Sequence, residues 1–194
     1  MSGITPSQTV GPYYAIALTP GDYDWTATAG NDLVTPDASG ERIRIEGRVL
    51  DGDGKPVNDA MIEIWQADAA GRYAHPADKR ANPNAAFKGF GRAGTDESGS
   101  YSFETIKPGA VAGSNGPQAP HVLLAVFARG MLRQCYTRIY FSDEKANAAD
   151  PVLALVPRER RATLVAQRQD GGGHAVYRFD IRLQGAGETV FFDV

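Results

Sequence analysis

The residues from Val122 to Phe127 are all apolar. An uninterrupted run of this kind reads as a strand covered on both faces. It ends in a turn that carries Arg129 and Gly130, and Cys135 to Phe141 returns as a second strand-like segment. His121 stands at the head of this hairpin. Two positions on, and therefore on the same face of the strand, stands Leu123.

The rest of the chain keeps the same period. Ile43, Ile45 and Val49 alternate around Gly47, and Asp51-Gly52-Asp53-Gly54 carries hairpin-turn chemistry before a strand over Ala60 to Ala67. Gly91 to Thr95, the turn Asp96-Glu97-Ser98-Gly99, and Ser100 to Ile106 read as a second hairpin, with Tyr101 and Phe103 on one face. Near the end, Tyr177, Phe179, Ile181 and Leu183 alternate against Arg178, Asp180 and Arg182, and Glu188 to Asp193 closes the series. Residues 68–90, with Gly71, Pro76 and Pro83, have no period and form a long loop. One segment, 143–170, reads as helical. Pro151 and Pro157 suit first turns, and a modest amphipathic helix after Pro157 stops at Gly171-Gly172-Gly173. Seven or eight short strands with turns between them predict an all-β chain, a β-sandwich core with long loops and one or two short helices.

That domain spans residues 43–194. Residues 1–42 are irregular, rich in Thr, Pro, Gly and Asp, yet they carry Tyr13, Tyr14, Tyr23 and Trp25. Aromatic side chains bring large areas to bury, so this segment is expected to be an ordered arm lying across a surface of this chain or of a partner.

With 194 residues and 42% apolar content, the chain can bury a core without staples. A net charge of −3 with no basic block favours neither nucleic acid nor an anionic membrane. Cys135 is the single cysteine, which leaves no internal disulfide and makes the cytoplasm the expected compartment. No apolar run reaches the ~18 residues of a membrane span, and the first residues lack the basic start and apolar core of a signal peptide.

The common catalytic constellations are absent. There is no Gly-rich phosphate loop, no G-x-S-x-G, no C-x-x-C and no H-E-x-x-H. His75, His121 and His174 are scattered. By residue type alone His174 reads as an exposed strand-start residue, His75 as a loop residue and His121 as a satisfied core histidine. Cys135 reads as a small apolar residue, and Arg129 as a solvated turn charge.

Longer stretches carry more. Pro6–Tyr14 (PSQTVGPYY), Glu63–Tyr73 (EIWQADAAGRY), Phe90–Asp96, Thr105–Gly109, Ala119–Gly130, Thr137–Phe141 and Tyr177–Asp193 follow one another in order. Together they resemble the intradiol ring-cleavage dioxygenases nearly end to end. The resemblance implies a β-sandwich core and an enzyme built of two homologous chains. The β chain holds a non-haem Fe³⁺ through two tyrosines and an H-x-H pair, a donor set suited to ferric iron.

Against that pattern the H-x-H position here reads His121-Val122-Leu123, the tyrosine positions fall at Arg80 and Val111, and Gln118 stands where catalytic chains have an arginine. The resemblance therefore implies a non-catalytic chain with no metal of its own and His121 as a vestige. The iron belongs to the β partner in a hetero-oligomer of αβ units. It also implies that this chain forms one wall of the partner's site through Thr9, Val10, Gly11, Pro12 and Tyr13 of the arm, and through Arg129. A guanidinium at the mouth would attract the carboxylate of protocatechuate, which O₂-dependent cleavage converts to 3-carboxy-cis,cis-muconate. The other reading is a stand-alone, metal-free β-sandwich binding module.

Overall fold

The computed structural model describes residues 17–193, apart from 24, 25, 28, 37, 81–85 and 170–172. Eleven strands follow in chain order: β1 (Arg42–Leu50), β2 (Met61–Gln66), β3 (Phe90–Gly94), β4 (Ser100–Ile106), β5 (Val111–Gly113), β6 (Gly116–Gln118), β7 (His121–Phe127), β8 (Cys135–Phe141), β9 (Val165–Gln169), β10 (Ala175–Arg178) and β11 (Ile181–Arg182).

In one layer β1 pairs antiparallel with β4 and parallel with β10 and β11. In the other, β3, β2, β7 and β8 lie side by side, all antiparallel. β9 laces the layers together. Val165 and Ala166 pair parallel with the end of β8, and Gln167 to Gln169 pair antiparallel with β10. The long strands bury alternate residues inward. Ile43 and Ile45 of β1, Ile62 and Ile64 of β2, and Val122, Leu124 and Val126 of β7 are all at or near zero exposure. Phe141 meets Tyr177 edge to face at 4.8 Å, a contact worth roughly 1 kcal/mol beyond the area it buries.

The sandwich matches expectation; several connections do not. The hairpin after His121 forms as β7–β8, but the other two expected hairpins do not. β1 and β2 lie in opposite layers, as do β3 and β4: β1 pairs with β4, and β2 with β3. The turn signals act locally instead. Asp51 accepts the amides of Asp53 and Lys55, and Leu50 bridges Pro56. Asp96 likewise accepts from Ser98 and Ser100.

The expected amphipathic helix after Pro157 is a 3₁₀ helix, Arg158–Leu164, preceded by shorter ones at Lys145–Ala149 and Leu153–Leu155. From Val165 the chain is strand. Leu164 and Ala166, two residues apart, are both fully buried, and a spacing of two belongs to a strand rather than a helix. The expected strand over 177–183 breaks between β10 and β11, where the carbonyl of Phe179 passes over Gly47; a Cβ on that glycine would lie 1.8 Å from the oxygen. Asp180 restores the interrupted ladder by accepting the Arg48 amide at 3.0 Å. Residues 188–193 make one bridge, Tyr136 to Phe192, and no strand.

Residues 29–36 run across the edges of both layers. Gly30 accepts from Arg92 of β3, while Asn31 and Leu33 exchange bonds with Glu104 of β4. Leu33 is buried. This segment covers two sheet edges that would otherwise be open to further pairing. Tyr14 and Trp25, two of the aromatic residues behind the reading of an arm, lie outside the described residues.

Candidate functional site

The outer face of the β2–β7–β8 layer is set by register. His121 lies opposite Tyr140. Leu123 lies opposite Trp65 on one side and Arg138 on the other. Directly opposed residues point to the same face, so His121, Leu123, Trp65 and Arg138 share it.

His121 is 5% exposed, and its Nδ1 lies 2.7 Å from the carbonyl oxygen of Ala119. A carbonyl only accepts, so Nδ1 carries the proton and Nε2 is the bare nitrogen. Burial pushes the His121 pKa below the usual histidine range, with the nearby Arg138 charge acting in the same direction and the Ala119 bond against it. The ring is therefore neutral at neutral pH. The strand head is fixed from behind by Asp150, which is 1% exposed. Its carboxylate accepts the Ala119 amide at 2.8 Å and the Tyr140 hydroxyl at 3.0 Å, and burial pushes the Tyr140 pKa well up.

Arg138 donates through Nη1 to Gln118 Oε1 at 2.8 Å. Trp65 stacks on Tyr73 with ring centroids 5.9 Å apart and planes 14° apart. Tyr73 comes from the long loop, whose base is held by Asp68: this nearly buried carboxylate accepts the amides of Ala70 and Arg72 and the Arg72 side chain. Arg80, further along the loop, is closed in by Asp78 and by the Gly71 carbonyl. Those bonds hold the Asp78 carboxyl far below the usual range.

The positions implied for a ferric site do not fit a metal. Of Arg80, Val111, His121 and Leu123, only His121 offers a donor. Arg80 is a paired cation and Val111 a buried apolar side chain in β5. Among the described residues no group of three or more His, Cys, Asp or Glu could hold a metal ion.

Arg129 is at the far end of the same hairpin. Its side chain is 84% exposed, with Nε 3.1 Å from Asp59 Oδ2, and Gly130 takes the turn at φ 82°. At ~3.3 Å per residue, roughly 20 Å of strand separates it from His121. Within one chain the two cannot serve a common site. Thr9, Gly11, Pro12 and Tyr13 lie outside the described residues. His75 turns its Nδ1 to the Ala77 amide in the loop, His174 is exposed and Cys135 is half-buried with its thiol pKa raised by burial.

A separate cleft of about 650 Å³ opens between residues 18–21 and 29–31 on one side and β1, β3 and β4 on the other, with Arg44, Arg48 and Arg92 on its walls. Sequence reasoning singled out neither Arg138 nor Asp150. Arg138 is visible in the sequence as a charge in an otherwise strand-like run, but only the β7–β8 register places it beside Leu123.

A family profile described as "Dioxygenase" matches residues 9–185. The chain is 50% identical to the protocatechuate 3,4-dioxygenase alpha chain of Burkholderia cepacia, over 98% of this chain and 97% of that one. It is 39% identical to the protocatechuate 3,4-dioxygenase beta chain of the same organism, over 91% of this chain and 77% of that one. Among solved structures, the dioxygenase domain of a carbohydrate-binding fusion protein from Streptomyces sp. SirexAA-E superposes with a TM-score of 0.63 at 26% identity, covering 94% of this chain and 99% of that domain.

Proposed function

The chain belongs to the intradiol ring-cleavage dioxygenases, and from that premise we propose that it acts as the alpha-type, non-catalytic chain of an enzyme that opens the ring of protocatechuate with O₂. One observation carries the reading. Identity to an alpha chain is 50% end to end, against 39% to the beta chain of the same organism. The donor set supports it, because a chain with His121 alone at the metal position has to leave the Fe³⁺ to a homologous beta-type partner.

In this reading the chain binds and orients. Its N-terminal arm, through Thr9, Gly11, Pro12 and Tyr13, and its β7–β8 turn, through Arg129, form a wall of the partner's site within a hetero-oligomer in the cytoplasm. Arg129 has the exposure this needs: among the described residues only Asp59 holds it, so its guanidinium can turn to a carboxylate arriving with substrate. At an effective dielectric of ~20 and about 4 Å such a pair gains of order 4 kcal/mol before desolvation, enough to select an acidic catechol over a neutral one after part is lost.

The test is reconstitution. A beta-type partner produced with this chain should cleave protocatechuate to 3-carboxy-cis,cis-muconate, and the two should co-elute in size-exclusion chromatography. A chain that stays a monodisperse single species beside that partner, with no effect on its turnover, would instead support a stand-alone binding module.

A further inference from the structure

The outer face of β7 and β8 not only lacks a set of metal donors; it carries a cation. Arg138 stands directly opposite Leu123 in the β7–β8 ladder, and Cβ atoms so opposed lie about 5 Å apart. Arg138 is half-buried, and its guanidinium hydrogen-bonds two neutral groups, the Gln118 amide and the Tyr140 hydroxyl. Among the described residues no carboxylate lies within ion-pair distance of it, whereas Arg44, Arg72, Arg80 and Arg92 all have one. No ion pair therefore neutralises it, although Asp150 acts on His121 with the opposite sign from behind the strand. The adjoining His121, by contrast, is still arranged as a ligand would be. Nδ1–H is tied to a backbone carbonyl and Nε2 left bare, the arrangement that orients an imidazole towards a metal.

We propose that Arg138 is a resident cation that keeps this face free of metal, so that restoring a second histidine at position 123 does not by itself restore metal binding. Two histidines at i and i+2 of one strand point the same way and can chelate a divalent ion. Here that ion would sit beside a fixed positive charge in a partly water-excluded site, where repulsion is screened less than at the surface. The inference stands on strand register and charge in this chain and does not depend on the identity of its partner.

The experiment titrates full-length variants with Ni²⁺ by calorimetry, after circular dichroism and thermal unfolding have established that each is folded. Leu123→His alone should bind weakly. Leu123→His combined with Arg138→Gln should bind at least about tenfold more tightly, a difference of about 1.4 kcal/mol. Leu123→His with Arg138→Lys should stay weak, because lysine keeps the charge and loses only the shape. Arg138→Gln alone should gain little, having one imidazole.

Equal affinities for Leu123→His with and without Arg138→Gln would overturn the proposal. So would tight binding by the lysine variant, or the absence of Ni²⁺ binding from every folded variant.

Discussion

Arg129 and His121 stand at opposite ends of one hairpin and have opposite environments. The first pairs with Asp59 at the surface and contributes little to this chain's own stability. If it meets the substrate carboxylate in the assembled enzyme, Arg129→Ala should cost about 2 kcal/mol in kcat/KM for protocatechuate, a fall of about thirtyfold. Turnover of unsubstituted catechol should change little; equal losses for both would remove the carboxylate role. His121 is buried and neutral, with its pKa below the value of about 6.5 it has when unfolded. The unfolded chain therefore takes up the proton first as pH falls. Stability from this group is present above about pH 6.5 and is lost progressively below it, down to the lowered native value. Denaturant unfolding from pH 7 to 5 should show a smaller loss for His121→Gln than for the parent chain, and an unchanged slope would refute the assignment. Residue type alone pointed to a satisfied core histidine, and the Ala119 bond bears that out. The cation beside it was not legible, because nothing in a one-dimensional string says that Arg138 faces Leu123 until the hairpin register is known.

At the scale of elements, the strands were legible and their partners were not. Period-2 alternation depends on one strand and the core it faces, so β1, β2, β4, β7 and β8 could be read from the residues they contain. Pairing depends on which layer each strand joins. The Asp51–Gly54 and Asp96–Gly99 turns look like hairpin turns, yet each is followed by a crossing between layers. The 3₁₀ helix and β9 were read as one helix because Ala162, Leu164 and Val165 fit either period over so short a span. Only the ladder to Tyr140 and Phe141 decides for a strand. Gly47 shows the same dependence on tertiary context. It looks like a weak point in β1, but it is the place where Phe179 crosses. Gly47→Ala should therefore cost about 3 kcal/mol, the upper end of overpacking effects. Thermal unfolding would check this, and a loss no larger than that of an exposed substitution would mean that the crossing relaxes freely.

For the whole molecule, the account divides labour between chains. The segment at 29–36 seals the edges of its own sandwich, and in the proposed assembly contact with the partner falls to the first residues of the arm. Removing residues 1–14 should leave the folding of the sandwich intact while impairing assembly or raising KM in the complex. Kinetics unchanged from those of the full chain would show that the segment is dispensable. The division was legible in the sequence only through the resemblance, since composition and periodicity describe one chain and the proposed site belongs to two. The most direct measurement is iron content and catechol cleavage for this chain purified alone and purified with a beta-type partner. The account predicts neither iron nor turnover for the chain alone. It predicts iron, tyrosinate-to-iron colour and protocatechuate cleavage for the pair. A lone chain carrying stoichiometric iron and cleaving catechols would contradict it.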